Sequence, residues 1–395
     1  MISERMIKMV ENGSAIRAMF EEGKRLADAY GAENVFDFSI GNPYFAPPMA
    51  VKDAIIDIVS NDDPMYVHGY PANAGYPAVR AAVAESLNRR FGTAYDAGNI
   101  LMTVGAAGGL NVAFVSLLNP GDEVIVITPY FFEYNNYVAN AGGVVVPVPA
   151  SAEDGFVPDL DAVAKAVTPK TKAILINNPN NPTGVVYSAE LLTNLGRMLE
   201  EKGREFGTTI YIVADEPYRE LAYDGTEVPW LPNCYRNTIV GYSWSKSLSL
   251  PGERIGYLLI PSNAVDGQLI YDAAVVANRM LGFVNAPTLM QLVVARCLDE
   301  STDIESYDDN RRRLYTGLHG LGYECAYPSG AFYLWVKTPV EESKFVALAK
   351  KYNILLVPGT SFGFPGYVRL AYCVSPDMID RSMSSFALLA KDCGL

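Results

Sequence analysis

The sequence predicts an α/β protein in which a mainly parallel seven-stranded sheet with helices on both faces is joined to a smaller α+β domain. Three observations predict it. Seven apolar runs, at residues 100–104, 123–128, 143–148, 172–177, 209–214, 238–242 and 256–260, are continuous rather than alternating, as in strands covered on both sides. Most alternate with helical segments at 108–118, 130–141, 160–166 and 189–201, the order that parallel pairing through crossover helices requires. From residue 306 the rhythm changes to a charged helix, strands at 331–336, 354–357 and 367–372, and a closing helix from Pro376.

Taken in order, residues 1–30 carry Ile7, Val10, Ile16, Met19, Phe20, Leu26 and Tyr30 at helical spacing, interrupted by Asn12-Gly13, and predict an N-terminal arm or helix pair. Residues 35–48 run from a short strand into a Gly/Pro-rich loop, where backbone can approach a ligand closely. A helix at 51–61, a polar and aromatic loop at 66–75 and a strong helix at 77–91 lead into the sheet. A long helix at 263–279 leads out of it, and Ala286-Pro287 opens another that ends at Leu298.

Of the 395 residues 50% are apolar and 19% charged, enough to bury a large core. A formal net charge of -13 argues against a polyanionic partner, and Arg311-Arg312-Arg313 reads as a solvated helix face. Five cysteines that are never spaced as CxxC read as reduced thiols. Two histidines leave little material for a histidine-rich metal site or a Ser-His-Asp triad. With no apolar leader at the N-terminus and no 18-residue apolar span, the expectation is a cytoplasmic protein that binds neither nucleic acid nor membrane.

In an open parallel sheet, ligands bind beyond the carboxyl ends of the strands. Four such ends carry chemistry. The first opens into Gly105-Ala-Ala-Gly-Gly109, a glycine-rich turn at a helix start whose free N–H groups suit a phosphate, though it lacks the dinucleotide and P-loop fingerprints. Alone, its small residues would read as close strand-helix packing. The second ends in Asn178-Pro-Asn-Asn181-Pro-Thr-Gly184 and the third in Asp215-Glu216-Pro217-Tyr218. The fourth is GYSWSKSLSLPGERIGY, with Lys246 among Ser243, Ser245, Ser247 and Ser249 and Arg254 eight residues on. A lysine amine becomes a nucleophile when its pKa is lowered, and an arginine fork suits a phosphate. Each segment alone is an ordinary turn; together they describe an anion cradle, amide donors, a carboxylate with a phenol, and an amine.

NNPNNPTG, ADEPYREL, SWSKSLSLPGERIGY and the late YVRLAYC, in this order, resemble the fold-type I, class I/II pyridoxal-phosphate aminotransferases from about Val35 to the C-terminus. The resemblance implies pyridoxal 5'-phosphate held through a Schiff base by Lys246. It implies Asp215 against the pyridine nitrogen, and Asn181 and Tyr218 as donors to the phenolic oxygen. Gly105, Ala106, Ala107, Ser243, Ser245 and Arg254 would cradle the phosphate, with alanines where some relatives have hydroxyls. Phe131 would stack on the ring, and Tyr70 would reach the phosphate of a neighbouring subunit, which implies a homodimer. Arg369 would grip the substrate α-carboxylate, with Ile40 and Gly41 backbone closing the other side and Asn181 beside it. Arg279, upstream of Asn285-Ala-Pro287, is a candidate for an acidic side chain, so aspartate or another dicarboxylic amino acid is a candidate donor to a 2-keto acid. Arg17, Tyr44, Tyr66 and Tyr134 are candidates to line the pocket, with core or surface packing the preferred reading of each. On this resemblance residues 48–290 form the large cofactor-binding domain, and 1–47 with 291–395 form the arm and small domain.

The alternatives are a carbon-sulfur β-lyase on the same fold, which differs in the fate of the substrate carbanion, and a non-catalytic ligand sensor. A dinucleotide-dependent oxidoreductase would need the missing glycine fingerprint.

Overall fold

A computed structural model describes residues 2–11 and 15–395; the side chains at 5, 8, 11, 15–18, 20 and 29 lie outside the described residues. Asn12-Gly13, and the side chains of Ile16, Arg17 and Phe20, therefore fall outside it too. Two helices, Glu4–Glu11 and Ala15–Tyr30, form the expected N-terminal pair.

Strand β1 (Phe36–Asp37) follows the second of these. The large sheet comprises β2 (Ile100–Thr103), β3 (Glu123–Thr128), β4 (Val144–Pro149), β5 (Thr171–Asn177), β6 (Tyr211–Asp215), β7 (Thr238–Ser243) and β8 (Gly256–Leu259). Strands β9 (Tyr333–Lys337), β10 (Ile354–Leu355), β11 (Val357–Pro358) and β12 (Tyr367–Ala371) come later in the chain. The seven-stranded order is β2-β8-β7-β6-β5-β3-β4, with β8 antiparallel to both neighbours and the remaining pairs parallel. Every residue of β2, β6, β7 and β8 is buried, as continuous apolar runs require, whereas edge strand β4 is largely uncovered. Each buried Ile or Val here, such as Ile125, Ile174, Ile212 or Val240, contributes about 1.5–3 kcal/mol of transfer free energy.

The helix Gly105–Leu117 crosses one face of this sheet. Gly108 and Gly109 allow that crossing, since a Cβ on either would come within 3.3 Å of Val104 or Leu258. The packing interpretation of the glycines thus holds for these two, while a Cβ on Gly105 would meet Arg254 instead. The predicted helix at 130–141 is shorter, Tyr134–Asn140, because residues 129–133 form a turn that places Phe131 and Tyr134 over the sheet end.

The C-terminal part has its own apolar core, with Phe38, Tyr307, Phe332, Phe345 and Phe386 between the helices Ile304–Gly320, Glu342–Lys351 and Pro376–Cys393 and the antiparallel sheet β11-β12-β9. Parallel pairing of β1 with β10 brings the loop after β1 alongside, where Ala371 N–H donates to Phe38 O.

Arg311 corrects the expectation of a solvated basic face. It is buried between the rings of Tyr223 and Tyr327 and paired with Asp224 at 2.8 Å and Asp308 at 2.6 Å, while Arg312 and Arg313 are exposed. A helix turn points successive residues to different sides, so one member of a triplet can enter a core. Among the described residues no helix is long and apolar enough to cross a membrane.

Candidate active site

Strand register brings three of the predicted ends together. Asn177 on β5 lies opposite Asp215 on β6, and Asp215 lies opposite Gly241 on β7. Two residues after Gly241, Ser243 caps the short helix Trp244–Ser247, its Oγ accepting from Ser245 N–H at 3.1 Å; the cap turns the chain so that Lys246 points over the strand ends. A pocket of about 370 Å³ opens there, lined by Gly41, Ala106, Ala107, Phe131, Tyr134, Tyr137, Asn177, Asn181, Asp215, Pro217, Tyr218, Ser243, Ser245, Lys246, Arg254, Tyr333 and Arg369, among others.

Asp215 forms the floor. Its Oδ2 accepts from Tyr134 Oη at 2.6 Å, and its buried Oδ1 has no partner among the described residues. Burial raises its pKa to about 7; the Tyr134 hydrogen bond lowers it and the neighbouring Glu216 raises it. Such a carboxylate is short of one cationic donor. Asn177 ties the floor to the next residue in the ring, donating to Asp215 O at 2.8 Å and accepting from Asn181 N–H at 2.7 Å.

Asn181 Oδ1 in turn accepts from Arg369 at 3.0 Å, and Arg369 also donates to Ser39 O at 2.7 Å. Arg369 is only 2% exposed, lies between the rings of Tyr333 and Phe362, and keeps a buried Nε without a partner among the described residues. A buried guanidinium with no carboxylate partner is a ready receptor for one.

Lys246 Nζ donates to Gly41 O at 2.7 Å. Burial lowers its pKa to about 8; Cys373 opposes this, and the cations Arg369 and Arg254 add to it. Opposite, the helix Gly105–Leu117 begins with no side-chain cap, leaving its first N–H groups open to the pocket at Ala106 and Ala107. Gly105 has a φ of 67°, and a Cβ there would sit 2.8 Å from Arg254 Nη2, so the glycine keeps the arginine fork beside the helix start. The helix N-terminus, Ser243, Ser245 and Arg254 line one side of the pocket with donors that suit an anion.

The remaining predicted residues are placed as follows. Phe131 lies edge-on to Tyr134 with centroids 5.6 Å apart, on the pocket wall. Ile40 accepts from the Cys373 thiol through its carbonyl, next to Gly41. Tyr70, 92% exposed, and Arg279, exposed in the last turn of Gly267–Met280, do not line the pocket of their own chain. Tyr44 and Tyr66 are exposed as well.

Two phenols exceed the sequence reading. Tyr134 is the hydrogen-bond partner of Asp215 as well as a buried packing residue. Tyr333, unmentioned by any motif, lies 2.8 Å from Tyr218 through the hydroxyls. Its signal was the two-residue period of β9: Trp335 pairs with Arg369, and Tyr333 shares that face. A second cavity, about 260 Å³, lies behind the lysine helix at Tyr242 and Ser247, but its Arg90 is already paired with Glu220 at 2.8 Å.

An anion cradle, an unpartnered carboxylate and a low-pKa amine around one pocket fit an aromatic aldehyde with a basic ring nitrogen and a phosphate, which pyridoxal phosphate is. Comparison with known proteins agrees. Residues 33–386 match the family model described as aminotransferase class I and II. The aspartate/prephenate aminotransferase of Thermus thermophilus is 33% identical over 88% of this chain and 89% of its own length. The aspartate aminotransferase of Pyrococcus horikoshii is 31% identical over 97% and 95%. Among solved structures, an amino transferase from Eubacterium rectale superposes with a TM-score of 0.97 at 45% identity, covering 100% of this chain and 99% of that one. The Thermus thermophilus aspartate aminotransferase with maleate gives 0.87 at 30% identity over 98% and 99%.

Proposed function

This chain belongs to the class I and II aminotransferases, a premise from which we propose a substrate and a role for each residue of the pocket. As a member it is a pyridoxal-phosphate-dependent enzyme that moves an amino group from an amino acid to a keto acid. The relatives bear the name aminotransferase, which favours transfer over the lyase alternative. The proposed donor is aspartate, in line with the relatives' names, with a 2-keto acid as acceptor.

The observation that carries the assignment is the unpartnered Oδ1 of Asp215 in the same pocket as the Lys246 amine. Asp215, held by Tyr134, would keep the ring nitrogen protonated; a cation there offsets the burial that raises its pKa. When bound, the cofactor supplies an electron-poor ring that stabilises negative charge at the substrate Cα. Lys246 would anchor the cofactor and then, as a free amine with a pKa of about 8, carry a proton between the substrate Cα and the cofactor's aldehyde carbon. Arg369 would hold the α-carboxylate by its fork, oriented by Asn181 and Ser39 O. Asn181 and Tyr218 would donate to the ring oxygen, Phe131 would stack on the ring, and the Gly105–Ala107 turn, Ser243, Ser245 and Arg254 would hold the phosphate.

We take the working unit to be a homodimer. Exposed Met65, Tyr66, Tyr70, Met280 and Val284 supply an apolar rim for a second copy to cover. In that unit Tyr70 would reach the neighbour's phosphate and Arg279 an acidic substrate side chain. The division into residues 48–290 and the remainder belongs to the same proposal, as does a cytoplasmic setting, which the five free cysteines favour.

Purified, cofactor-loaded protein should show visible absorption that borohydride bleaches, and Lys246→Ala should remove both the band and turnover. A chain without that band, or a Lys246→Ala variant with full turnover, would sink the reading. Single-turnover spectra against a panel of amino acids then identify the donor.

A further inference from the structure

The hydroxyls of Tyr218 and Tyr333 lie 2.8 Å apart, and among the described residues each has the other as its hydrogen-bond partner. A phenol owns one proton. If Tyr218 donates to Tyr333, Tyr218 turns only lone pairs to the pocket. If Tyr333 donates to Tyr218, the Tyr218 proton is free for an anionic oxygen. The direction of this single bond therefore decides whether Tyr218 can act as a donor.

Resting on the reading of Tyr218 as a donor to the cofactor's ring oxygen, we infer that Tyr333 is a positioning residue, which gives its proton to Tyr218 and so aims the Tyr218 proton into the pocket. Two features of the structure favour this direction. The Arg369 guanidinium lies 4.4 Å from the centroid of the Tyr333 ring, and a cation over a phenol makes its O–H the stronger donor. Tyr333 is buried at the rim of the pocket beside Gly41, where a Cβ would overlap its hydroxyl; the loop that accepts from Lys246 thus confines that hydroxyl next to Tyr218.

Besides the isolated backbone bridge Ala222–Gly330, Tyr333 links two parts of the site. It stands on β9, beside the Arg369 assigned to the substrate carboxylate, while Tyr218 follows β6 beside Asp215. A substrate carboxylate drawn onto Arg369 weakens that cation's pull on the Tyr333 ring, so occupation of the carboxylate site is felt at the ring oxygen through two phenols.

The test is a double-mutant cycle on the loaded protein, read as the pH midpoint of its visible absorption. A donor to the ring oxygen drains the negative charge that retains the neighbouring proton, so losing it raises the midpoint. Tyr218→Phe is expected to raise it most, and Tyr333→Phe to raise it by about 0.3–1 unit. The double variant should match Tyr218→Phe alone, since Tyr333 acts through Tyr218. Gly41→Ala, which displaces the Tyr333 hydroxyl without deleting it, should shift the midpoint in the same direction and serves if Tyr333→Phe does not fold. An unmoved midpoint in Tyr333→Phe beside a shifted Tyr218→Phe, or additive shifts in the double variant, overturns the inference and leaves the proposed function standing. A wild-type chain without a bleachable band overturns the proposed function itself.

Discussion

The floor of the pocket and its rim are built on opposite terms. At the floor, Asp215, Asn177, Asn181 and Arg369 are buried and joined in one chain of hydrogen bonds 2.7–3.0 Å long. At the rim, Tyr70 and Arg279 are exposed and do not line their own chain's pocket. Buried polar groups must be satisfied where they stand, so the floor is specified by its own chain. Exposed groups carry no such demand, and in the proposed dimer the rim would be left for a second copy to organise. The difference separates the buried polar network, held within one chain, from the cofactor-phosphate and side-chain contacts that the proposed dimer would add.

The largest effect should come from the floor. Asp215→Ala removes the charge opposite the ring nitrogen and is expected to cut kcat by about 10³-fold, with the fold intact by circular dichroism. A loss of tenfold or less would detach the unpartnered Oδ1 from the chemistry. Arg369→Ala should follow, weakening every amino acid substrate by about 2–5 kcal/mol regardless of side chain, read as KM across the panel. Selective loss for acidic substrates would move Arg369 to the side-chain pocket.

The rim should respond less and differently. Tyr70→Phe is expected to weaken cofactor retention by about 10- to 100-fold, the range for a hydrogen bond to a charged group. If the rim is shared, mixing Tyr70→Phe chains with Lys246→Ala chains should restore activity, because one site in each mixed pair escapes both lesions. No recovery would make the rim a feature of single chains. Arg279→Ala should weaken aspartate by about tenfold while sparing alanine, and equal losses would count against a substrate role.

The smallest effect is on stability. In the cofactor-free chain the raised Asp215 pKa means that its contribution is full below the unfolded carboxyl value of about 4 and is lost as pH rises through about 7. Asp215→Asn should flatten that slope in denaturant titrations. Lys246 runs the other way: its lowered pKa makes stability present above the unfolded lysine value and lost as pH falls through about 8.

Much of this was legible in the sequence, for local reasons. Continuous apolar runs specify buried parallel strands wherever they occur, and turn residues after them mark where ligands can bind. Lys246, Asp215, Asn181 and Arg254 are each read from such strand ends. Tyr134 was read as packing before pocket lining because a tyrosine in a helical segment gives no sign of its partner until the turn at 129–133 places it over Asp215. Arg311 was misread because a triplet of arginines gives no sign of which one turns inward. Tyr333 gave only the two-residue period of a strand, and a period does not say which strand pairs with which.

The sequence by itself determined the sheet, its order of elements and the chemistry at the strand ends, because burial of apolar runs and the conformational needs of Gly, Pro and Asn are local constraints. Only the tertiary structure decided which polar groups meet: Tyr134 with Asp215, Arg369 with Asn181 and Tyr333 with Tyr218. Those pairs are 81, 188 and 115 residues apart in the chain, and a hydrogen bond across such a distance exists only once packing has fixed both partners to within a few tenths of an ångström.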